Sequence, residues 1–321
     1  MEQEFQRSLQ KIGSRFFIGF EGKYPEDPGV LQIIDYIKNK LIGGVILFAH
    51  NIESSTQLIQ LTQLLKSIEP SLIISIDQEG GKVQRLSSKN GFKDFKSAFE
   101  VTQMSLESAY QHYCEMGEIL YIHGINLNFG PCVDIHDDQC PVIGKHMRSY
   151  SESGAKITQY AKAFIEAHQQ YNISTCLKHF PGHGFSRQDS HKGLVDITDF
   201  AKPKLELEPY RALADRVEYV MIAHVINRQI DPLLPATLSD KYITPILKKQ
   251  LHFKGKVVTD DIVMGAILDN FTINDACLKA LEAGCDYIIL SFHPLAMGNN
   301  KLPSDFSYIA LLQYLALETE L

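Results

Sequence analysis

Tryptophan is absent from the 321 residues, so any aromatic stacking surface falls to tyrosine and phenylalanine. The six cysteines (Cys114, Cys132, Cys140, Cys176, Cys277 and Cys285) form no C-x-x-C pair, and several sit in apolar runs as reduced thiols do. A reducing compartment follows, and a cytoplasmic location is the expectation. No apolar stretch is long enough to span a bilayer, and the N-terminus, rich in acids, lacks the apolar core and small-residue cleavage site of a signal peptide. Pro/Ser-rich linkers, low-complexity blocks and solenoid repeats are missing too, which leaves one domain, 1–321. Nor is there a G-x-G-x-x-G after the first apolar run, or a G-K-[ST] anywhere that would suit a phosphate cradle. The net charge of -7 opposes a nucleic-acid or anionic-membrane partner.

What is present is a soluble composition, 45% hydrophobic and 21% charged, with a recurring unit. A short β-branched or aromatic run ends in polar residues, and a segment with helical spacing follows. The runs are Arg15–Gly22, Gly44–Asn51, Leu72–Gly81, Ile125–Ile135, Ser174–Gly182, Tyr219–Ile226, Lys256–Ile262 and Cys285–Phe292. Between them lie helical patterns at Val30–Lys40, Ser55–Ile68, Gly154–Tyr171 and Ile273–Ala283, the last followed by Gly284 as a C-cap. Eight strands alternating with helices predict an α/β fold, a single (β/α)8 TIM-type barrel; an open doubly wound sheet is the alternative.

Charged residues gather at the predicted C-terminal strand ends: Asp77 and Glu79, Asp134, Lys178 and His179, His224, and Asp260 and Asp261. In such barrels those ends form the active-site face. Capping explains single examples, and Asp261 is placed to cap the turn after its strand. It does not explain five ends of eight, because unpaired buried charge costs several kcal/mol, on the order of a protein's whole stability. In "IDQEGGKVQRL" two glycines let the backbone approach a ligand beside Asp77 and Arg85. In "KHFPGHGFSRQDSH" three histidines and Asp189 admit two readings. One is a metal-dependent hydrolase built on His179, His183, His191 and His224. Pro181 and Gly182 break the helix that would bring His179 and His183 together, and the first strand has no H-x-H pair. The other is a loop histidine, His191, oriented by Asp189.

"KHFPGHG" followed by "DSH", with "IDQEGGKVQR", "GPCVDI", "IAH" and "VVTDDIVMGA", resembles glycoside hydrolase family 3 from about Phe17 to Phe292. The branch is similar to the bacterial β-N-acetylhexosaminidases of peptidoglycan recycling. The resemblance implies a single catalytic barrel that cleaves terminal, non-reducing β-linked N-acetylglucosamine from small soluble glycosides such as muropeptides, with retention. It implies Asp260 as nucleophile and His191 with Asp189 as the acid/base pair, and Asp77, Arg85, Arg148, Lys178 and His179 as holders of the sugar hydroxyls. Where the family reads V-I-G-x-R, this chain has "VIGKHMR", two residues longer before Arg148. It implies neither metal nor other cofactor, and a monomer is expected. A histidine acid/base repels no anionic nucleophile, so phosphate in place of water, a phosphorylase with the same residues, is the alternative. A sugar-binding barrel without catalysis is the third reading. The missing tryptophan favours a pocket for one terminal sugar over a polysaccharide cleft.

Overall fold

The computed structural model describes residues 2–190, 193–293 and 306–319. Its strands in chain order are β1 (Phe16–Ile18), β2 (Gly44–Leu47), β3 (Ile73–Ile76), β4 (Leu127–Asn128), β5 (Ser174–Phe180), β6 (Val195–Asp196), β7 (Tyr219–Ile222), β8 (Val225–Ile226), β9 (Lys256–Asp261) and β10 (Tyr287–Leu290). Eight of them close a parallel barrel in the order β1-β10-β9-β7-β5-β4-β3-β2, while β6 pairs with β8 outside it. Helices connect the barrel strands, so the fold is the (β/α)8 barrel that the alternating runs predict.

Alternation along each strand divides the core in two. Phe17, Ile46, Leu127, Phe129, Cys176, Met221, Val258 and Ile289 fill the barrel interior. Their neighbours Ile18, Val45, Leu177, Val220, Val257 and Ile288 face outward and pack beneath the helices. Ser54 caps the helix Ser55–Ile68 by accepting from Gln57 N at 3.2 Å, and Thr272 does the same for Ile273–Ala283 through Asp275 N at 3.2 Å. That second helix ends on Gly284, whose φ of 103° only glycine adopts without strain. The last described helix, Tyr308–Glu318, lies against the first, Glu2–Gly13, and the Tyr308 hydroxyl donates to Leu41 O at 2.8 Å.

Two runs differ from their sequence reading. Ile125–Ile135 is a strand only at β4, because Pro131 brings no N–H to the ladder; a single bridge from Cys132 to Lys178 continues the pairing. Tyr219–Ile226 is two strands, for after Ile222 the chain leaves the barrel wall and turns His224 toward the carbonyl of Asp261.

Candidate functional site

Inward parity carries charge up to the barrel mouth. Lys178 lies two residues beyond Cys176 and Asp260 two beyond Val258, so both continue the interior face where apolar layers stop. They open on a cavity of about 450 Å³ that Phe48, Asp77, Arg85, Arg148, His179 and Asp189 also line.

Around this cavity the ionic groups form one chain of alternating sign. Arg85 Nη2 meets Asp77 Oδ2 at 3.1 Å, and the other Asp77 oxygen meets Lys178 Nζ at 2.8 Å. Lys178 Nζ reaches Glu79 Oε1 at 2.7 Å, and Glu79 takes a two-pronged grip from Arg148, Nη2 at 2.8 Å and Nε at 3.0 Å. Burial opposes ionisation of both Asp77 and Glu79, but Lys178 and the arginines outweigh it and hold both carboxyls below their ordinary range. Arg148 Nη2 next donates to His179 Nε2 at 3.1 Å, which obliges His179 Nδ1–H to donate to Asp134 Oδ2 at 2.6 Å. Asp134 also accepts from His183 N at 2.7 Å and His179 N at 3.2 Å, so one buried carboxylate ties the end of β5 to the loop beyond it. The two extra residues before Arg148 are absorbed in a turn, with Met147 at φ 56° and Arg148 N returning to Ile143 O at 3.1 Å. Arg148 therefore reaches the cavity despite the longer loop.

Adjacent aspartates on β9 have opposite fates. Asp261 turns away from the barrel axis, accepting from the Ser291 hydroxyl, from Ser291 N at 3.1 Å and from Val263 N at 3.3 Å; burial, opposed by these bonds, raises its carboxyl to about 7. Met264, not Asp261, stands at the N-cap of the short helix that follows. Asp260 faces the cavity. Burial opposes its charge too, but His224, the Asp261 N–H at 2.8 Å and Lys178 prevail and bring it down to about 2. Both ring nitrogens of His224 are engaged. Its Nε2–H donates to Asp261 O at 2.8 Å, and its Nδ1 meets the Thr237 hydroxyl at 2.8 Å, which also lies 2.7 Å from Ala223 O. His224 thus lies beside an ionised Asp260, and the two neighbouring carboxyls have pKa values pushed in opposite directions, as acid/base sites do.

The loop after β5 carries Asp189 to the cavity; His191 lies outside the described residues. His183, at the loop's start, is buried. Its Nδ1 engages the Ser186 hydroxyl at 2.9 Å, its Nε2 has no partner among the described residues, and burial lowers it to about 4. Gly182 is obligatory, because at φ 148° a Cβ there would sit 2.3 Å from Glu206 Oε1. Glu206 is buried, accepts from Lys202 N at 2.7 Å, and has its carboxyl raised by burial to about 7. The folded protein thus keeps a proton that the unfolded chain releases near pH 4, and stability present at low pH is lost as pH rises through 7. Glu206→Gln removes that loss. The variant is expected to gain up to about 3 kcal/mol on wild type at about pH 8 and nothing at about pH 4, read from urea denaturation at both.

Sequence reasoning named Glu79, Asp134 and His224 at strand ends but gave Glu79 and Asp134 no role, although both are links in the ionic chain. The four-histidine metal reading fits poorly. Neither ring nitrogen of His224 keeps a free lone pair, and both of His179 are engaged. Cys132, Asp134 and His179 do bring donor atoms within 4.8 Å of one another, yet Asp134 Oδ2 already accepts from Cys132 Sγ at 3.3 Å as well as from His179.

A closed parallel barrel with a charged cavity at the C-terminal ends of its strands is the arrangement of a (β/α)8 enzyme. Residues 31–303 match the glycosyl hydrolase family 3 N terminal domain, and the chain belongs to that family and is a glycoside hydrolase. It is 33% identical over 269 residues to a β-hexosaminidase of Nitrosomonas eutropha, covering 80% of this chain and 76% of that protein. With a β-hexosaminidase of Haemophilus influenzae it shares 32% over 292 residues, 86% of this chain and 79% of the other. Among solved structures, a family 3 β-N-acetylglucosaminidase from Paenibacillus sp. str. FPU-7 superposes with a TM-score of 0.84 at 33% identity, covering 97% of this chain. This chain spans 58% of that enzyme. NagZ from Neisseria gonorrhoeae, in complex with N-trifluoroacetyl-D-glucosamine, superposes at 0.77 with 28% identity over 94% of this chain and 89% of that one.

Proposed function

We propose that the protein is a retaining exo-β-N-acetylglucosaminidase acting on small soluble glycosides of the muropeptide kind, with Asp260 as nucleophile and His191, oriented by Asp189, as acid/base. The observation that carries this reading is Asp260 itself, kept anionic on the inner wall of a cavity of about 450 Å³ that suits a small ligand and joins apolar residues such as Phe48, Met221 and Ile289 to the charged groups Asp77, Arg85, Arg148 and Lys178. The β-hexosaminidase relatives and the sugar analogue held by the Neisseria NagZ support the choice of sugar.

In the first step an Asp260 carboxylate oxygen bonds to the anomeric carbon as the bond to the aglycone oxygen breaks, and the protonated His191 supplies that oxygen with its proton. In the second, the now neutral histidine takes a proton from water while the water oxygen displaces Asp260, returning both groups to their starting state. Arg85, Asp77, Lys178, Arg148 and His179 offer donors and acceptors to the ring hydroxyls from a frame rigid enough to avoid reorganisation.

The test is hydrolysis of an aryl β-N-acetylglucosaminide. His191→Ala is expected to lower kcat/KM on a glycoside with a poor leaving group by about 10²- to 10⁴-fold while sparing one with a dinitrophenyl leaving group. Equal losses on both would overturn the acid/base assignment, and sugar 1-phosphate appearing when phosphate is added would move the second step from hydrolysis to phosphorolysis.

A further inference from the structure

We infer that Arg187 is a positioning residue for catalysis: with Asp137 it fastens one end of the loop that holds Asp189 over Asp260, an inference that rests on the function proposed above. Arg187 engages several groups at once. Its Nη2 meets Asp137 Oδ2 at 3.0 Å, its Nη1 donates to Phe185 O at 3.0 Å, and its guanidinium lies 5.0 Å from the centre of the Phe200 ring. A planar fork can satisfy an acid, a carbonyl and an aromatic face together, which an ammonium cannot. Asp137 is itself immobilised, its Oδ1 accepting from Gln139 N at 2.8 Å and its carbonyl from Cys140 N at 2.9 Å.

At the far end of the same stretch, Ser190 O accepts from Ala266 N at 2.9 Å, just beyond the strand that bears Asp260. Only Gln188 and Asp189 lie between the two fastenings. The chain before Arg187 is pressed down as well: a Cβ on Gly184 would sit 2.0 Å from Ile135 O, and the Cys140 thiol lies 3.2 Å from the Ser186 hydroxyl. Asp189 therefore occupies a two-residue span whose supports come from different barrel strands. Unfastening the Arg187 end frees the span on one side and leaves Asp260 and the ionic chain untouched.

The Arg187–Asp137 pair is part-exposed, with side chains 29% and 18% accessible, so it adds little to global stability and the variants should fold. Its worth is geometric, since a misplacement of about 1 Å in a reacting group lowers rates on the order of 10²-fold. Arg187→Ala is expected to lower kcat/KM about 10- to 100-fold on an N-acetylglucosaminide with a poor leaving group, and less than about threefold on the dinitrophenyl glycoside, with Tm nearly unchanged. The slope of log kcat/KM against leaving-group pKa should steepen accordingly. Arg187→Lys, which keeps the charge without the fork, should fall between, and exchanging the pair (Arg187→Asp with Asp137→Arg) should recover part of the loss.

Equal losses on both substrates, or no loss, would overturn the inference. The His191→Ala variant separates this failure from a failure of the proposed function. If His191→Ala shows the leaving-group dependence and Arg187→Ala does not, only the role of Arg187 falls.

Discussion

Asp260→Asn is expected to abolish turnover, lowering kcat on an aryl β-N-acetylglucosaminide on the order of 10⁴-fold or more while the protein still folds and binds N-acetylglucosamine. The expectation follows from where the charge sits. Burial opposes the Asp260 carboxylate, and the fold supplies His224, the Asp261 N–H and Lys178 to keep it ionised at about 2. So many groups around one carboxylate, on a residue that opens to a cavity, suit a nucleophile that must be anionic when substrate arrives. An amide has nearly the same shape, so packing and the bond from Asp261 N survive; what disappears is the negative charge that lets the oxygen form a neutral ester with the anomeric carbon. Binding can even tighten, since an uncharged side chain is cheaper to cover with a sugar. The measurement is a burst experiment with the dinitrophenyl glycoside, beside calorimetric binding of N-acetylglucosamine. Turnover within tenfold of wild type would remove Asp260 from the mechanism. A variant that binds nothing would instead assign Asp260 to ligand holding. Because the carboxyl is ionised throughout the neutral and mildly acid range, changes of wild-type rate with pH there do not report Asp260.

The barrel was legible because each strand combines a local signal with a consistent place in the unit. Gly44–Leu47 and Tyr287–Leu290 are short apolar runs rich in β-branched residues, and each precedes or follows a capped helix such as Ser55–Ile68 or Ile273–Ala283, whose limits coincide with the sequence reading. The position of charge was legible for the same reason, since a strand that ends in Asp or Lys within a parallel barrel must deliver it to one face. The pairing was not. Asp77 and Lys178 are 101 residues apart, and nothing in either neighbourhood says that Lys178 divides itself between Asp77 and Glu79, or that Arg148 grips Glu79. Those choices come from barrel closure, which sets β3, β4 and β5 side by side and fixes which strand ends meet. The identity of Asp134 as anchor of the loop after β5 depends likewise on the turn at Gly130 and Pro131, which brings residues 132–134 beside Lys178. The division of Tyr219–Ile226 into β7 and β8 was hidden because both pieces are apolar, and the histidine that separates them is buried as deeply as they are.

Replacing Lys178 by methionine is expected to destabilise the protein by about 3–5 kcal/mol, the range found when one partner of a buried pair is removed. The methionine keeps the length and apolar stem, so the loss is electrostatic rather than a cavity. Lys178 is 2% exposed and stands between Asp77 and Glu79 at 2.8 and 2.7 Å. Without it the two carboxylates face each other across the gap, each left with an arginine on its outer side only. The pH dependence carries the sharper test. In wild type both carboxyls are held below their unfolded values, so their contribution to stability is full above the ordinary carboxylate range and is lost as pH falls through the folded values. In the variant, burial and mutual repulsion push at least one of them upward, so the folded state takes up a proton that the unfolded chain has released, and stability falls as pH rises. The difference between wild-type and variant stability should therefore widen from mildly acid to neutral pH. Urea denaturation across that range measures it. A constant difference would mean that Lys178 stabilises by packing alone, whereas adding Asp77→Asn and Glu79→Gln to Lys178→Met should flatten the dependence and recover part of the stability, without restoring activity.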